Sequence, residues 1–365
     1  MKKIALLVYD ISKIGGVERV SSVIANELVN YYDIQIISMV HEFDDIPYYL
    51  DERIKCTFIS GNVNYRLREL VSHSRKKLRK ILRSEKIDVM MSMGCYSGFV
   101  GAVDAFGLKT KVIFCDHSAI ASQLDDKTIT LARRISCKLS AHTVVLTLKS
   151  YNDYIKMFKV PKRKISQIYN WIDEHVYEYT KPYDNKTNKI ITVNRIAEEK
   201  GMDLLLEVAK KLRNINNNWT WDIYGDGPDF EKIKRLIKEY GLEKKVFLKG
   251  QENEIYKKYS LYSLFVLTSY REGLPLVLLE SKANNIPSIS FDVETGPSEI
   301  IEDSVNGYLI KPFDVDDMVS KINELLNNQN KLLEFSKNCK KDIDKFSKDK
   351  ILKEWKELID NYINK

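Results

Sequence analysis

The sequence predicts an α/β chain made of two doubly wound domains, each a parallel sheet covered by helices on both faces. Three observations predict it. Short apolar runs of strand length alternate with longer amphipathic helical patterns. That alternation stops at a polar stretch and then restarts. The chain has 365 residues, more than a single hydrophobic core usually serves.

The first domain is read over residues 1–172. Its strands are expected at residues 4–9, 34–40, 55–59, 87–92, 110–115, 142–146 and 164–169. The run Ile4-Ala5-Leu6-Leu7-Val8 has no polar alternation, as expected of a strand buried on both faces. Residues 17–31 place Val20, Val23, Ile24, Leu28 and Tyr31 at helical spacing, and residues 67–85 do the same with Leu67, Leu70, Val71, Leu78, Ile81 and Leu82. Residues 173–189 are polar, with Pro182 among them, and read as a linker. In the second domain, residues 173–348, strands are expected at 190–194, 219–224, 246–249, 264–268 and 288–291. Helices are expected at 202–213, 230–240 and 275–284. A last helix within 349–365 carries Ile351, Leu352, Trp355, Leu358, Ile359 and Tyr362 on one stripe, which must be buried.

Composition narrows the function. With 44% apolar and 30% charged residues, 15 glycines and 8 prolines, the chain is neither collagenous nor wholly disordered. No run approaches the ~18 apolar residues of a spanning helix. Met1-Lys2-Lys3 precedes an apolar run that meets Asp10 at once with no cleavage site, so the N-terminus reads as a strand of a cytoplasmic protein rather than a signal peptide. Five scattered cysteines form no CxxC pair, and the five histidines show no HxxxH or HExxH spacing. Buried thiols, no disulfide framework and no protein-held metal are expected. The net charge of +7 is concentrated in a cluster from Arg66 to Lys86. Sequence signatures of α/β hydrolases, P-loop enzymes and kinases are absent.

Five segments could carry chemistry. In Tyr270-Arg271-Glu272-Gly273-Leu274-Pro275, followed by a helix containing Glu280, the free N–H groups of the first turn form an anion site, and Pro275 suits that turn. Helical rise would set Glu272 and Glu280 roughly 10–12 Å apart. This is too far for a hydrolase carboxylate pair but suits a long ligand with hydroxyls at both ends and an anion between. The plainer alternative is a surface Glu and a capping Glu. Arg195 and Lys200 follow the strand at 190–194 and could clamp a diphosphate, or could simply pair with Glu198 and Glu199. Gly15-Gly16 permits close backbone approach to a ligand, or is an ordinary turn; it lacks the GxGxxG dinucleotide pattern. His117 follows the strand at 110–115, where it could face a ligand or sit idle between a capping Asp116 and Ser118. Gly225-Asp226-Gly227 reads as a strand-ending turn.

In this order along the chain, Gly15-Gly16, His117, Arg195 with Lys200, Gly225-Asp226-Gly227 and the Glu272–Glu280 pair resemble the retaining glycosyltransferases of family four, of GT-B fold. The resemblance implies two Rossmann-like domains facing across a cleft, with acceptor in the first and nucleotide-sugar donor in the second. It implies a last helix crossing back to the first. Arg195 and Lys200 would bind the donor diphosphate, Glu280 the ribose and Glu272 the transferred sugar. Backbone groups of Gly273, Leu274 and Pro275 would support sugar and phosphate, Gly15, Gly16 and Gly225 would line the donor, and His117 would touch the sugar. Asn194 stands where the family often has Gly. The family's retention is usually explained by front-face attack, in which the leaving phosphate accepts the acceptor's proton. The expected activity is metal-independent hexosyl transfer, without a cofactor, from a UDP-sugar to a glycan or polyprenyl-linked acceptor in bacterial polysaccharide synthesis. The basic face of residues 66–86 is expected to rest on the anionic inner face of the cell membrane. No nucleic-acid motif accompanies that charge. The alternatives are a sugar-nucleotide epimerase of the same fold and a non-catalytic partner subunit.

Overall fold

The computed structural model describes residues 1–61, 65, 67–118, 120, 123–252 and 254–364. The chain divides into two compact units, Met1–Asn170 with Asp349–Lys365, and Trp171–Lys348.

The first unit holds a seven-stranded sheet of β1 Lys3–Val8, β2 Asp33–Ser38, β3 Lys55–Phe58, β4 Val89–Met93, β5 Lys111–Asp116, β6 His142–Val145 and β7 Ile165–Gln167. The order is β3-β2-β1-β4-β5-β6-β7, and every pairing is parallel. Ile4 sits in register with Ile34 on one side and Val89 on the other, and all of Ile4–Val8 is sealed from solvent. The uninterrupted apolar run of β1 follows from this position, since both of its faces are covered.

The second unit holds a six-stranded parallel sheet of β8 Lys189–Val193, β9 Thr220–Tyr224, β10 Val246–Gly250, β11 Leu264–Leu267, β12 Ser288–Phe291 and β13 Gly307–Ile310, ordered β10-β9-β8-β11-β12-β13. Its core gathers Leu205, Leu206, Ala209 and Leu212 from the helix Met202–Ile215 against Trp221, Ile223 and Val266 of the sheet.

Residues 173–189 do not behave as a free linker. They contain a short helix, His175–Glu178, with Val176 buried. Tyr183 donates to the Ser263 carbonyl at 2.6 Å, and Tyr256 donates to Asp173 at 2.9 Å. The polar composition reflects these tethers to the second unit.

In the last helix, Lys348–Ile363, the stripe Ile351, Leu352, Trp355, Leu358 and Ile359 is buried. Polar contacts fix it within the first unit: Tyr32 donates to Asp360 at 2.8 Å and Tyr362 to the Ala141 carbonyl at 3.1 Å. All five cysteines are free, and burial pushes the thiols of Cys95, Cys137 and Cys339 up to about 12.

Candidate functional site

Ligands of open parallel sheets bind at the carboxyl ends of strands, beside the point where strand order reverses. In the second unit that point lies between β8 and β11. Asn194 and Arg195 leave the end of β8; Thr268, Ser269 and Glu272 follow β11. Their side chains join across the reversal. Asn194 Nδ2 donates to Ser269 Oγ at 3.2 Å, and Ser269 Oγ donates to Glu272 Oε1 at 2.7 Å. Lys200 Nζ lies 2.8 Å from the same Oε1, and the two side chains are 20% and 8% exposed. Arg195 is exposed and forms no ion pair among the described residues. Neither cation pairs with Glu198 or Glu199 there, so the plainer reading of this turn fails.

Two glycines make the approach of these loops feasible. Gly201 has a left-handed backbone (φ +60°), and a Cβ there would stand 2.1 Å from the Thr268 carbonyl oxygen. At Gly225 (φ +137°) a Cβ would stand 1.8 Å from the Asn194 carbonyl oxygen. The glycine turn therefore locks β9 to the end of β8, a role that a generic turn does not require.

The helix after Glu272 spans Leu276–Ala283, with Pro275 as its N-cap and no capping side chain. Pro275 stands just before the helix, not inside its first turn. Three residues thus separate Glu272 from the helix, and helical rise governs only part of its distance to Glu280. The amide donors of the first turn are not taken by a capping side chain, as an anion site requires. Gly273 and Leu274 bridge Glu272 to that turn, and Thr295 Oγ1 donates to the Glu272 carbonyl. Glu280 is 2% exposed and accepts from the Tyr259 hydroxyl at 2.7 Å. It is a buried polar anchor rather than a surface or capping Glu.

In the first unit, Gly15 is extended (φ −167°) and a Cβ on Gly16 would meet nothing within 4 Å. Backbone strain does not demand this pair; a Cβ on Gly15 would stand 2.3 Å from the Glu18 carboxylate, a flexible side-chain end. The Tyr48 hydroxyl accepts from Gly15 N–H and donates to Gly15 O, each at 3.1 Å.

His117 follows β5. Among the described residues Asp116 beside it caps no helix. Its carboxylate is buried against Arg133, with Nε 2.7 Å from Oδ2 and both side chains 0% exposed. Ser118 N–H (3.0 Å) and Oγ (2.6 Å) donate to Oδ1, and Tyr154 donates to Oδ2. Burial pushes the Asp116 carboxyl up, but Arg133 and these hydrogen bonds outweigh it and hold the group below 3.8. Among the described residues His117 Nε2 is buried without a hydrogen-bond partner. Burial, against the pull of Asp116, lowers its pKa from 6.5 to about 4.

That shift has a measurable sign. The folded chain keeps His117 neutral while the unfolded chain takes up a proton below pH 6.5, so stability falls as pH drops from 6.5 to about 4 and levels off below. In urea melts, His117→Asn is expected to remove a loss on the order of 1–3 kcal/mol over that window. An unchanged slope in the variant would contradict the buried neutral imidazole.

Residues 14–176 match the family described as Glycosyltransferase Family 4, and residues 179–342 match Glycosyl transferases group 1. The chain is a GT-B glycosyltransferase. Over 98% of its length it is 26% identical to an uncharacterized glycosyltransferase of Haemophilus influenzae, covering 100% of that protein. It is 27% identical, over 98% of each chain, to a Campylobacter jejuni alpha-1,4-N-acetyl-D-galactosaminyltransferase named for an undecaprenol-diphosphate-linked acceptor. A TarM variant of S. aureus, solved with UDP and glycan ligands, superposes with a TM-score of 0.82 at 20% identity, covering 98% of this chain and 100% of that one.

In this glycosyltransferase Arg195, Lys200, Glu272, Gly273, Leu274, Pro275, Glu280 and Gly225 all lie in the second unit, while Gly15, Gly16 and His117 lie in the first. Sequence reasoning missed Ser269, Arg133, Tyr154 and Tyr48. Ser269 was legible as a polar residue just past a buried strand end. The other three carry no sequence signal, because they act through partners 17, 38 and 33 positions away.

Proposed function

We propose that this glycosyltransferase is a retaining hexosyltransferase that moves a hexose or N-acetylhexosamine from a UDP-sugar to a glycan acceptor in bacterial surface polysaccharide synthesis. The observation that carries the reading is the Lys200–Glu272–Ser269 constellation with Arg195 at the reversal between β8 and β11.

Arg195 and Lys200 meet the diphosphate and offset the charge that builds as it departs, without a metal. The first-turn amides after Pro275 add donors. Glu280 receives the ribose hydroxyls and Glu272 the sugar. Glu272 Oε1 already accepts from Lys200 and Ser269, which fixes the carboxylate in place to receive sugar hydroxyls. The acceptor's proton then passes to the departing phosphate, and attack from the leaving-group side retains configuration. The first unit takes the acceptor. There the open space at Gly16 admits a phosphate or sugar, and the unpaired His117 Nε2 is ready for a sugar hydroxyl.

Several names support this reading. The TarM structure holds UDP, and a Staphylococcus aureus relative, 34% identical over 60% of this chain and 43% of its own, is a poly(ribitol-phosphate) alpha-N-acetylglucosaminyltransferase. The Campylobacter relative is likewise alpha-specific and named for a polyprenyl-linked acceptor. An alpha product from an alpha-linked donor is retention.

The test starts with a thermal-shift screen of UDP, GDP and ADP, since a ligand at ~100 times its Kd adds about 2.7 kcal/mol. UDP is expected to stabilise the chain. UDP-sugars are then incubated with bacterial lipid extracts in excess EDTA, and the product's anomeric configuration is read by NMR. An alpha-linked product is expected. A beta product would sink retention, and loss of transfer in EDTA would sink metal independence. An epimerised UDP-sugar formed without acceptor would replace the transferase reading with the epimerase.

A membrane reading is favoured by the helix Leu67–Ser84. Lys76, Arg79, Lys80 and Arg83, with Ser84, line a shallow depression of about 510 Å³. Lys77 and Arg79 are partly committed: Lys77 donates to the Ile59 carbonyl at 2.7 Å, and Arg79 to the Asp104 carbonyl at 2.7 Å. Arg66 and the Arg68 side chain lie outside the described residues. Each remaining exposed cation adds about 1 kcal/mol at an anionic surface. Among the described residues no helix is long and apolar enough to cross a membrane.

A further inference from the structure

The first sheet has its own reversal, between β1 and β4. Tyr9 directly follows β1, and Tyr96 lies in the first turn of the helix Cys95–Asp104 that follows β4. Their ring centroids are 5.9 Å apart with planes tilted by 47°. Tyr96 is 41% exposed and Tyr9 half-buried. A single exposed aromatic is ordinary, but a pair at the crevice where such sheets bind ligands is not.

Two neighbours point the same way. Asp10 is 0% exposed; Oδ1 accepts from Ser12 N–H at 3.0 Å and from Ser12 Oγ at 2.6 Å, while Oδ2 has no hydrogen-bond partner among the described residues. A buried carboxylate oxygen left without a donor is costly. Asp10 is sealed in this conformation, so a ligand hydroxyl reaches it as the loop after β1 yields to the bound ring. Gly94, at the end of β4, has φ +87° and nothing within 4 Å of where a Cβ would stand, leaving room at the same reversal.

We infer that Tyr9 and Tyr96, with the carboxylate of Asp10, form a subsite for a pyranose ring of the acceptor. A pyranose has an apolar C–H face and a rim of hydroxyls. The C–H face, slightly positive, lies on the negative π face of an aromatic ring, and a rim hydroxyl donates to Asp10 Oδ2. Burial raises the pKa of both phenols, so they stay neutral and keep their apolar faces at working pH. This inference rests on the reading that the first unit takes the acceptor.

The test is saturation-transfer NMR on the full chain with the methyl α-glycosides of glucose, galactose and N-acetylglucosamine. At least one is expected to bind with strongest saturation on the ring protons of a single face. Tyr96→Ala should weaken that glycoside about ten-fold, or about 1.4 kcal/mol. Tyr96→Phe should retain it, which separates stacking from a hydroxyl contact, and Asp10→Asn should weaken it with the same face still saturated. No saturation from any of the three glycosides, or unchanged binding in Tyr96→Ala, would overturn the subsite. UDP binding, measured by thermal shift on the same samples, reports separately on the second unit, so a failure of the donor reading is not confused with a failure here.

Discussion

Lys200→Ala is expected to lower kcat by about 10²–10³-fold, the scale of losing one charged stabiliser of a departing anion. The chain should remain folded. Lys200 ends a single 3-10 turn, Glu198–Lys200, and among the described residues its ammonium contacts Glu272 Oε1 at 2.8 Å. Glu272 is 8% exposed but keeps its 2.7 Å bond from Ser269 when the lysine goes. A stability loss of about 1.5–3 kcal/mol follows, the range of a hydrogen bond to a charged group. In the proposed mechanism Lys200 acts on charge that develops as the phosphate leaves, so kcat should fall more than KM rises. Lys200→Arg should not restore the rate, because a planar fork cannot replace a point charge held against one carboxylate oxygen. Single-turnover kinetics with the best UDP-sugar decide it. A wild-type kcat in Lys200→Ala, with UDP still bound, would remove Lys200 from the donor site and with it the main support of the functional reading.

Legibility in the sequence depended on whether a residue's constraint was local. The buried strands showed as apolar runs because both of their faces are covered, as at Ile4–Val8 and at Leu264–Leu267. The edge strand Gly307–Ile310 was missed; four residues among polar neighbours give too short a pattern. The helix Cys95–Asp104 was also hidden. Six of its ten residues are buried, and a Cβ on Gly98 would stand 2.2 Å from the Phe114 ring, so the helix has no polar stripe to set a period. In the site, the strand-end cations and the Glu272–Glu280 run were visible because loop and helix start are contiguous in sequence. Asn194 stands where the family often has Gly. Its side chain reaches Ser269, and a glycine at 225 supplies the close approach. Contacts made between distant strand ends leave no trace in composition or spacing. The sheet order creates them.

The buried pair of Asp116 and Arg133 is where the largest effect on stability is expected. Arg133→Met should cost about 3–5 kcal/mol at neutral pH, because it strands a charge rather than removing a pair. Both side chains are 0% exposed, and Asp116 would keep only Ser118 and Tyr154. In the wild type the folded carboxyl lies below 3.8, so its stabilisation is present above that value and is lost as pH falls through the depressed folded pKa. In Arg133→Met the lowering partner is gone and burial dominates, so the folded pKa rises above the unfolded one. The variant then sheds its penalty as the carboxyl protonates, and the gap between the two proteins should narrow in urea melts taken at about pH 4 relative to pH 7. The double variant Asp116→Leu with Arg133→Met should recover part of the loss, since no charge is left buried. His117 rides on the turn that this pair fixes, so transfer activity should fall in the single variant even under conditions where the fold is kept. A gap that stays constant with pH would show that Arg133 stabilises through packing alone. The neutral, oriented His117 would then have to be held by the Ser118 and Tyr154 bonds to Asp116 without help from the guanidinium.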